Sequence, residues 1–175
     1  MAIKARIALT GRPGVGKTTL IEQLLSSLPL SAGGMITREV RKCGHRVGFS
    51  VVDVADGQER MLAYTHHRNG PRVGRYTVDV EALEAFGVAA IRHAIRHYDI
   101  VVIDEIAPME LSGPGFAPAV EEALASDCGL VISTHAHSDH PLAHRVRRDL
   151  ELFRVKVSNR DHLLAEMLAA FEVRA

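Results

Sequence analysis

Apolar positions along this chain switch between two periodicities, and the switches divide it into alternating strands and helices. Residues 3–9 read as a strand and lead directly into a glycine-rich segment. Beyond it, Leu20, Ile21, Leu24, Leu25 and Leu28 fall at helical spacing. Residues 34–41 and 46–54 have strand character and are separated by Lys42, Cys43 and Gly44, which predicts an antiparallel pair. Residues 55–75 carry the weakest pattern and hold Arg60, His66, His67, Arg68, Arg72 and Arg75. Asp79 then suits an N-cap for a helix whose stripe is Val80, Leu83, Gly87, Ile91, Ala94 and Tyr98. Residues 99–103 have the unbroken β-branched character of a strand covered on both faces. Two more strand–helix units follow. Residues 130–133 precede a His-rich loop and a helical segment around 142–148. Residues 152–157 precede a helix with Leu163, Leu164, Met167, Leu168 and Phe171 on one side, and Ser158-x-x-Asp161 suits a capping box at its start. This alternation predicts one α/β domain over residues 1–175, a three-layer fold around a mostly parallel sheet with an antiparallel strand pair.

Composition narrows the classes. Twenty-one basic and 21 acidic side chains cancel in a chain that is 47% hydrophobic, so attachment to nucleic acid or a membrane by bulk charge is not expected. No apolar run approaches the ~20 residues of a membrane helix, and the N-terminal stretch turns to glycine before a signal-peptide core forms. A cytoplasmic location is expected, with Cys43 and Cys128 as buried or half-buried thiols.

The chemistry lies in the glycine-rich segment. Gly11, Arg12, Pro13, Gly14, Val15, Gly16, Lys17 and Thr18 satisfy the P-loop (Walker A) pattern G-x-x-x-x-G-K-[ST], after a strand and at a helix start. Glycines allow the torsions that turn successive N–H groups inward around phosphate oxygens, and the helix N-terminus adds its dipole. Lys17 then reaches the β- and γ-phosphates, the Thr18 hydroxyl ligates Mg²⁺, and Thr19 adds a hydroxyl near the α-phosphate. The expected ligands are nucleoside triphosphates such as ATP and GTP.

Asp104 ends the apolar run 100–103, where an acidic group meets the metal, and Glu105 follows as a base or orienting group for water. That pair favours hydrolysis. A kinase acting on a nucleotide or small molecule is the alternative, because the Gly-x-Pro-Gly-x-Gly-Lys form resembles that of small nucleotide kinases and residues 55–75 then supply an acceptor site or lid. A nucleotide-timed binding module is a third reading. Asn159-Arg160-Asp161-His162 lacks the guanine-reading pattern of regulatory GTPases. His135-x-His137-x-Asp139-His140 has the ligand types of a zinc hydrolase, but that reading leaves the P-loop unexplained; Thr134 or His135 as a phosphate sensor is the competing role. Arg38, Arg75, Arg145, Arg147 and Arg148 are the arginines available to a transition state, and none is singled out.

Several blocks together resemble one family, the small thermophile-type nucleoside-triphosphatases, also called cancer-related after their human member. They are Gly11 to Leu20; Thr37 to Arg41 with Arg46 to Phe49; Arg72 to Tyr76; Val102 to Ile106 with Met109, Glu110 and Leu111; His140-Pro141-Leu142; and Asn159-Arg160-Asp161. The resemblance implies a RecA-like core and slow, base-tolerant triphosphate hydrolysis, with Asp104 and Glu105 facing the γ-phosphate. This chain has Ala107-Pro108 where the family often has Gly-Lys.

Overall fold

The computed structural model describes residues 5–65 and 69–172. Ile3 and Lys4 of the predicted first strand, and His66, His67 and Arg68, lie outside the described residues. Strand β1 (Arg6–Gly11) runs into the glycine-rich loop and helix α1 (Lys17–Ser27), followed by β2 (Ala32–Lys42) and β3 (His45–Asp53). Strands β4 (Glu59–Tyr64), β5 (Arg72–Val73) and β6 (Tyr76–Val78) come next. A helical stretch is then built from α2 (Val80–Ala82), a π-helical segment (Leu83–Val88) and α3 (Ala89–His97). The remainder is β7 (Ile100–Ile106), α4 (Pro108–Leu111), α5 (Phe116–Ala125), β8 (Gly129–His135), α6 (Pro141–Asp149), β9 (Glu151–Arg154) and α7 (Arg160–Glu172).

The nine strands of the described residues join one sheet in the order β5-β6-β4-β3-β2-β7-β8-β1-β9. From β2 to β9 the strands are parallel, and from β2 outward through β3, β4, β6 and β5 they are antiparallel. Successive side chains of a strand point to opposite faces, so the parallel strands feed two cores. Ile7, Leu9, Val102 and Val131 meet Leu20, Ile21 and Leu24 of α1 and Met167 and Phe171 of α7 on one face. Ala8, Val101, Ile103, Leu130 and Ile132 meet Ile91 and Ala94 of α3, Phe116 and Val120 of α5, and Val146 of α6 on the other. This double cover is the physical reason for the unbroken apolar runs, and it yields the predicted three layers.

Several local expectations hold. The Asp79 carboxylate accepts from the Ala82 N–H at 2.9 Å, and Leu83, Gly87, Ile91 and Ala94 are buried along one stripe. Others are corrected. Residues 55–75 supply β4 and β5, so the antiparallel part grows from a pair to a wing. Its register shifts between Phe49 and Ser50, which blurs strict alternation. Helix α5 has no counterpart in the periodicity, because its stripe of Phe116, Val120 and Leu124 is interleaved with alanines and Pro118 stands in its first turn, where proline is tolerated. Cys43 is exposed, while Cys128 is half-buried and its Sγ lies 3.4 Å from the Ile95 carbonyl oxygen. Ahead of α7, where Ser158 is the expected cap, the Asn159 amide braces the turn that leads into the helix. Its Oδ1 accepts from Lys156 N–H at 2.8 Å and its Nδ2 donates to the Arg154 carbonyl at 2.9 Å.

Phe116 is fully buried and is the largest such side chain. Its truncation in Phe116→Ala is expected to lower unfolding free energy by about 3–5 kcal/mol in urea titrations, through lost burial and a residual cavity. A loss under ~1 kcal/mol would contradict the packing of α5 against the sheet.

Candidate active site

The glycine-rich loop leaves β1 and turns over the carboxyl edge of the parallel strands. Gly14 (φ 74°) and Gly16 (φ 107°) occupy the left-handed region, which a Cβ would strain. Gly16 is also the N-cap of α1 and supplies no side-chain acceptor, so the first turn presents its N–H groups and dipole to the loop's concave side. Val15 is buried among apolar neighbours and pins the loop, while Arg12, Pro13, Gly14 and Thr19 are exposed at its rim. Lys17 is only 6% exposed. Its Nζ donates to the carbonyls of Gly11 (3.1 Å) and Arg12 (3.4 Å) and stands 3.3 Å from Glu105 Oε2.

Strand β8 lies between β1 and β7 and contributes its own hydroxyl. Asp104, 3% exposed, receives one hydrogen bond from Ser133 and another from Thr18, one on each carboxylate oxygen. Burial still pushes its carboxyl up to about 6, and Glu105 adds to the rise against the pull of those hydroxyls and Lys17. The β7–β8 register shifts between Ile103 and Ile106, and the Asp104–Glu105 peptide is cis. Just beyond β7, Glu110 is 2% exposed and its Oε1 accepts from Thr37 of β2 at 2.9 Å. Burial, reinforced by Glu105 and Asp104, pushes Glu110 up to about 8 against the hydrogen bonds of its own backbone N–H and of Thr37.

Among the described residues, the buried side-chain oxygens without a hydrogen-bond partner are Thr10 Oγ1, Thr134 Oγ1, Glu105 Oε2 and Glu110 Oε2. Thr10 and Thr134 pair in register at the ends of β1 and β8, and Thr134 pairs with Ile106 of β7. Buried polar atoms are normally satisfied, so their gathering at one sheet edge marks a place built to receive polar groups. Glu105 Oε2 has its ion pair with Lys17 but no aligned hydrogen bond.

The loop residues, Lys17, Thr18, Asp104 and Glu105 thus converge, as the motif spacing predicts. Sequence reasoning missed Ser133, Glu110 and Thr37; the only prior signal was that Glu110 and Thr37 fall within the family-like blocks. The His-rich loop has local duties. His140 caps α6, its Nδ1 accepting from Leu142 N–H at 3.2 Å, and Asp139 is fully exposed. Among the described residues no three His, Cys, Asp or Glu side chains converge as a metal site, so the zinc-hydrolase reading has no geometry behind it. The named arginines are engaged: Arg38 with Glu22, Arg75 with Tyr76, Arg145 with Glu121, Arg147 with the His135 and Ser138 carbonyls, and Arg148 with Asp149. Ala107 is the N-cap and Pro108 the first residue of α4, a position that suits a residue without an N–H. Beside the loop, Gly16, Thr19, Leu20, Gln23, Arg160, Asp161 and Leu164 line a cavity of about 440 Å³. No helix among the described residues is long and apolar enough to cross a membrane.

A family model described as NTPase matches residues 6–168. The chain belongs to this family. It is 46% identical over 175 residues to the nucleoside-triphosphatase THEP1 of Thermofilum pendens, covering 95% of this chain and 96% of that one. It is also 46% identical over 162 residues to the THEP1 of Methanosarcina acetivorans, covering 90% and 91%. Among solved structures, THEP1 from Aquifex aeolicus superposes with a TM-score of 0.87 at 30% identity, over 95% of this chain and 99% of that one. A human cancer-related nucleoside triphosphatase superposes with a TM-score of 0.80 at 33% identity, over 98% and 99%. The family fold is therefore the one seen here, a P-loop α/β sheet with an antiparallel extension.

The raised Glu110 carboxyl has a consequence for ligand-free stability. Its folded value near 8 exceeds the ordinary 4.5, so the folded chain holds a proton that the unfolded chain releases first. The resulting stability is full below pH ~4.5 and is lost as pH rises through about 8. Melting temperatures of the ligand-free protein are expected to fall across that window, and Glu110→Gln is expected to flatten the fall. An unchanged slope in that variant would contradict a protonated Glu110.

Proposed function

We propose that this protein is a Mg²⁺-dependent nucleoside-triphosphatase that hydrolyses the γ-phosphate of ATP, GTP and related triphosphates slowly and with little regard for the base. The observation that carries this reading is Glu105, a carboxylate ion-paired to the cradle lysine at 3.3 Å. A carboxylate in that position is within reach of a water beside the terminal phosphate. A kinase would use such a group on an acceptor hydroxyl rather than on water. The relatives' name, nucleoside-triphosphatase, favours water as the acceptor, and within residues 55–75 strands β4 and β5 extend the sheet.

The loop N–H groups and Lys17 would bind the β- and γ-phosphates, with Lys17 exchanging its Glu105 partner for phosphate oxygens. Thr18 and Asp104 fit Mg²⁺, since both offer oxygen donors and a buried carboxyl pushed up to about 6 gains from a nearby cation. The ion supplies charge neutralisation on the phosphate oxygens. The Glu105 carboxylate orients a water and accepts its proton as the water oxygen bonds to phosphorus and the nucleoside diphosphate departs. The cavity beside Gly16 would take the base. Its polar members, Thr19, Gln23, Arg160 and Asp161, include no rigid pattern matched to one base edge, and the planar Arg160 guanidinium can lie against any ring.

Purified protein is expected to release phosphate from a panel of nucleoside triphosphates with Mg²⁺ and no acceptor, and to stop when the metal is chelated. Release only after an acceptor is added would make it a kinase. Glu105→Gln should keep triphosphate affinity and slow release by about 10²–10⁴-fold; unchanged turnover would remove Glu105 from the mechanism. Calorimetric titration separates the two halves of the ligand site. Lys17→Ala should weaken nucleoside triphosphates and inorganic tripolyphosphate alike, whereas Arg160→Ala should weaken ATP and GTP similarly and leave tripolyphosphate unchanged. Loss of tripolyphosphate binding in Arg160→Ala would count against the base cavity.

A further inference from the structure

Glu110 has no part in the steps above, yet it is bonded to Thr37, which follows Ile36, and Ile36 pairs in register with Asp104, one residue before Glu105. Its Oε1 is held by Thr37 at 2.9 Å, and its Oε2 is sealed from solvent without a partner. An ionised oxygen left bare in such a place is strongly disfavoured, while the same oxygen carrying a proton becomes a donor. The charges acting on it are Glu105 and Asp104 at the end of β7, both negative. Strand β2 faces it with the Thr37 hydroxyl, and Lys17 of α1 is spent on Glu105 and on the loop carbonyls. On the α5 side, the Glu84 carboxylate accepts from the Gly115 N–H at 2.8 Å.

Glu105 has a matching need. Its Oε2 has no hydrogen-bond partner and only the ion pair with Lys17. Once a triphosphate draws Lys17 away, nothing described so far would hold the Glu105 carboxylate in one orientation. We propose, resting on the hydrolytic reading above, that Glu110 is a positioning residue: it acts as a neutral carboxylic acid whose O–H keeps the Glu105 carboxylate aimed at the attacking water. A neutral donor does this without placing a third anion next to Asp104, Glu105 and the phosphates. Two carboxyl groups of one cluster then divide the work by environment, one ionised and one protonated.

The test compares Glu110→Gln and Glu110→Leu in the full chain, with Mg²⁺ and ATP. The Gln amide can still accept from Thr37 and donate from nitrogen, so kcat is expected to stay within about 3-fold of the parent. The Leu side chain cannot donate, and kcat is expected to fall by about 10–100-fold at unchanged KM, the scale of a misaimed catalytic group. Its melting temperature is expected to change little, because removal of the unpaired Oε2 is offset by the Thr37 hydroxyl losing its acceptor. In a Glu105→Gln background the Leu substitution should add nothing further. The proposal is overturned if Glu110→Leu keeps its kcat, if Gln falls as far as Leu, if the loss lies in KM, or if the effects of the two positions add. A parent protein that releases no phosphate without an acceptor overturns the hydrolytic reading and this inference with it, whereas an active parent with an unaffected Leu variant overturns this inference alone.

Discussion

A carboxylate that is 3% exposed must find its donors within the protein, and at Asp104 they come from two directions: Thr18 at the start of α1 and Ser133 at the end of β8. That pair of hydrogen bonds ties the first turn of the phosphate-loop helix to the two strands beneath it. The loop is otherwise held at few points, chiefly by Val15 in the core and by Lys17 on the loop's own carbonyls. Since the helix dipole acts only over its first turn, the direction of α1 matters. The Asp104 hydroxyl pair fixes its first turn at the sheet edge, while Leu20, Ile21 and Leu24 seat its body in the core.

The parallel half of the sheet makes this edge possible. Strands β7, β8 and β1 are covered on both faces, so their bodies are apolar and nearly all polar chemistry is displaced to their carboxyl ends. There the sheet accepts costs it avoids elsewhere. Thr10 and Thr134 keep hydroxyls without partners, Glu105 is matched only by charge, and Glu110 is driven into its neutral form. Each would be a defect in a purely structural core. Together they describe a surface whose partners arrive with the ligand, which is the usual exchange of local stability for function.

Much of this was legible in the sequence, for identifiable reasons. The loop from Gly11 to Thr18 is contiguous, and its spacing alone dictates the turn, the helix start and the lysine. Asp104 and Glu105 follow a run of β-branched residues so uniform that only a strand buried on both faces explains it. What escaped notice depends on neighbours distant in sequence. Ser133 looks like any strand-terminal serine until β8 is inserted between β1 and β7. Glu110 sits in the short α4 helix, whose Glu would ordinarily be solvated, and only the packing of Thr37 from β2 reveals that it is sealed. The wing strands β4 to β6 were hidden by their brevity and register shift, and α5 by alanines that dilute its stripe.

The choice between water and another acceptor turns on charge rather than on shape. Lys17 serves two masters, the Glu105 carboxylate in the ligand-free chain and the phosphates when they bind. In the proposed mechanism that exchange would leave Glu105 ionised and close to the terminal phosphate, where a negative group is tolerable only if it is occupied in holding a water's proton and is not joined by further negative charge. A neutral Glu110 would meet the second condition, and a metal held by Thr18 and Asp104 would offset the charge of the phosphates themselves. The balance of one lysine, two anions and one protonated acid thus favours in-line attack by water over protection of the γ-phosphate from it.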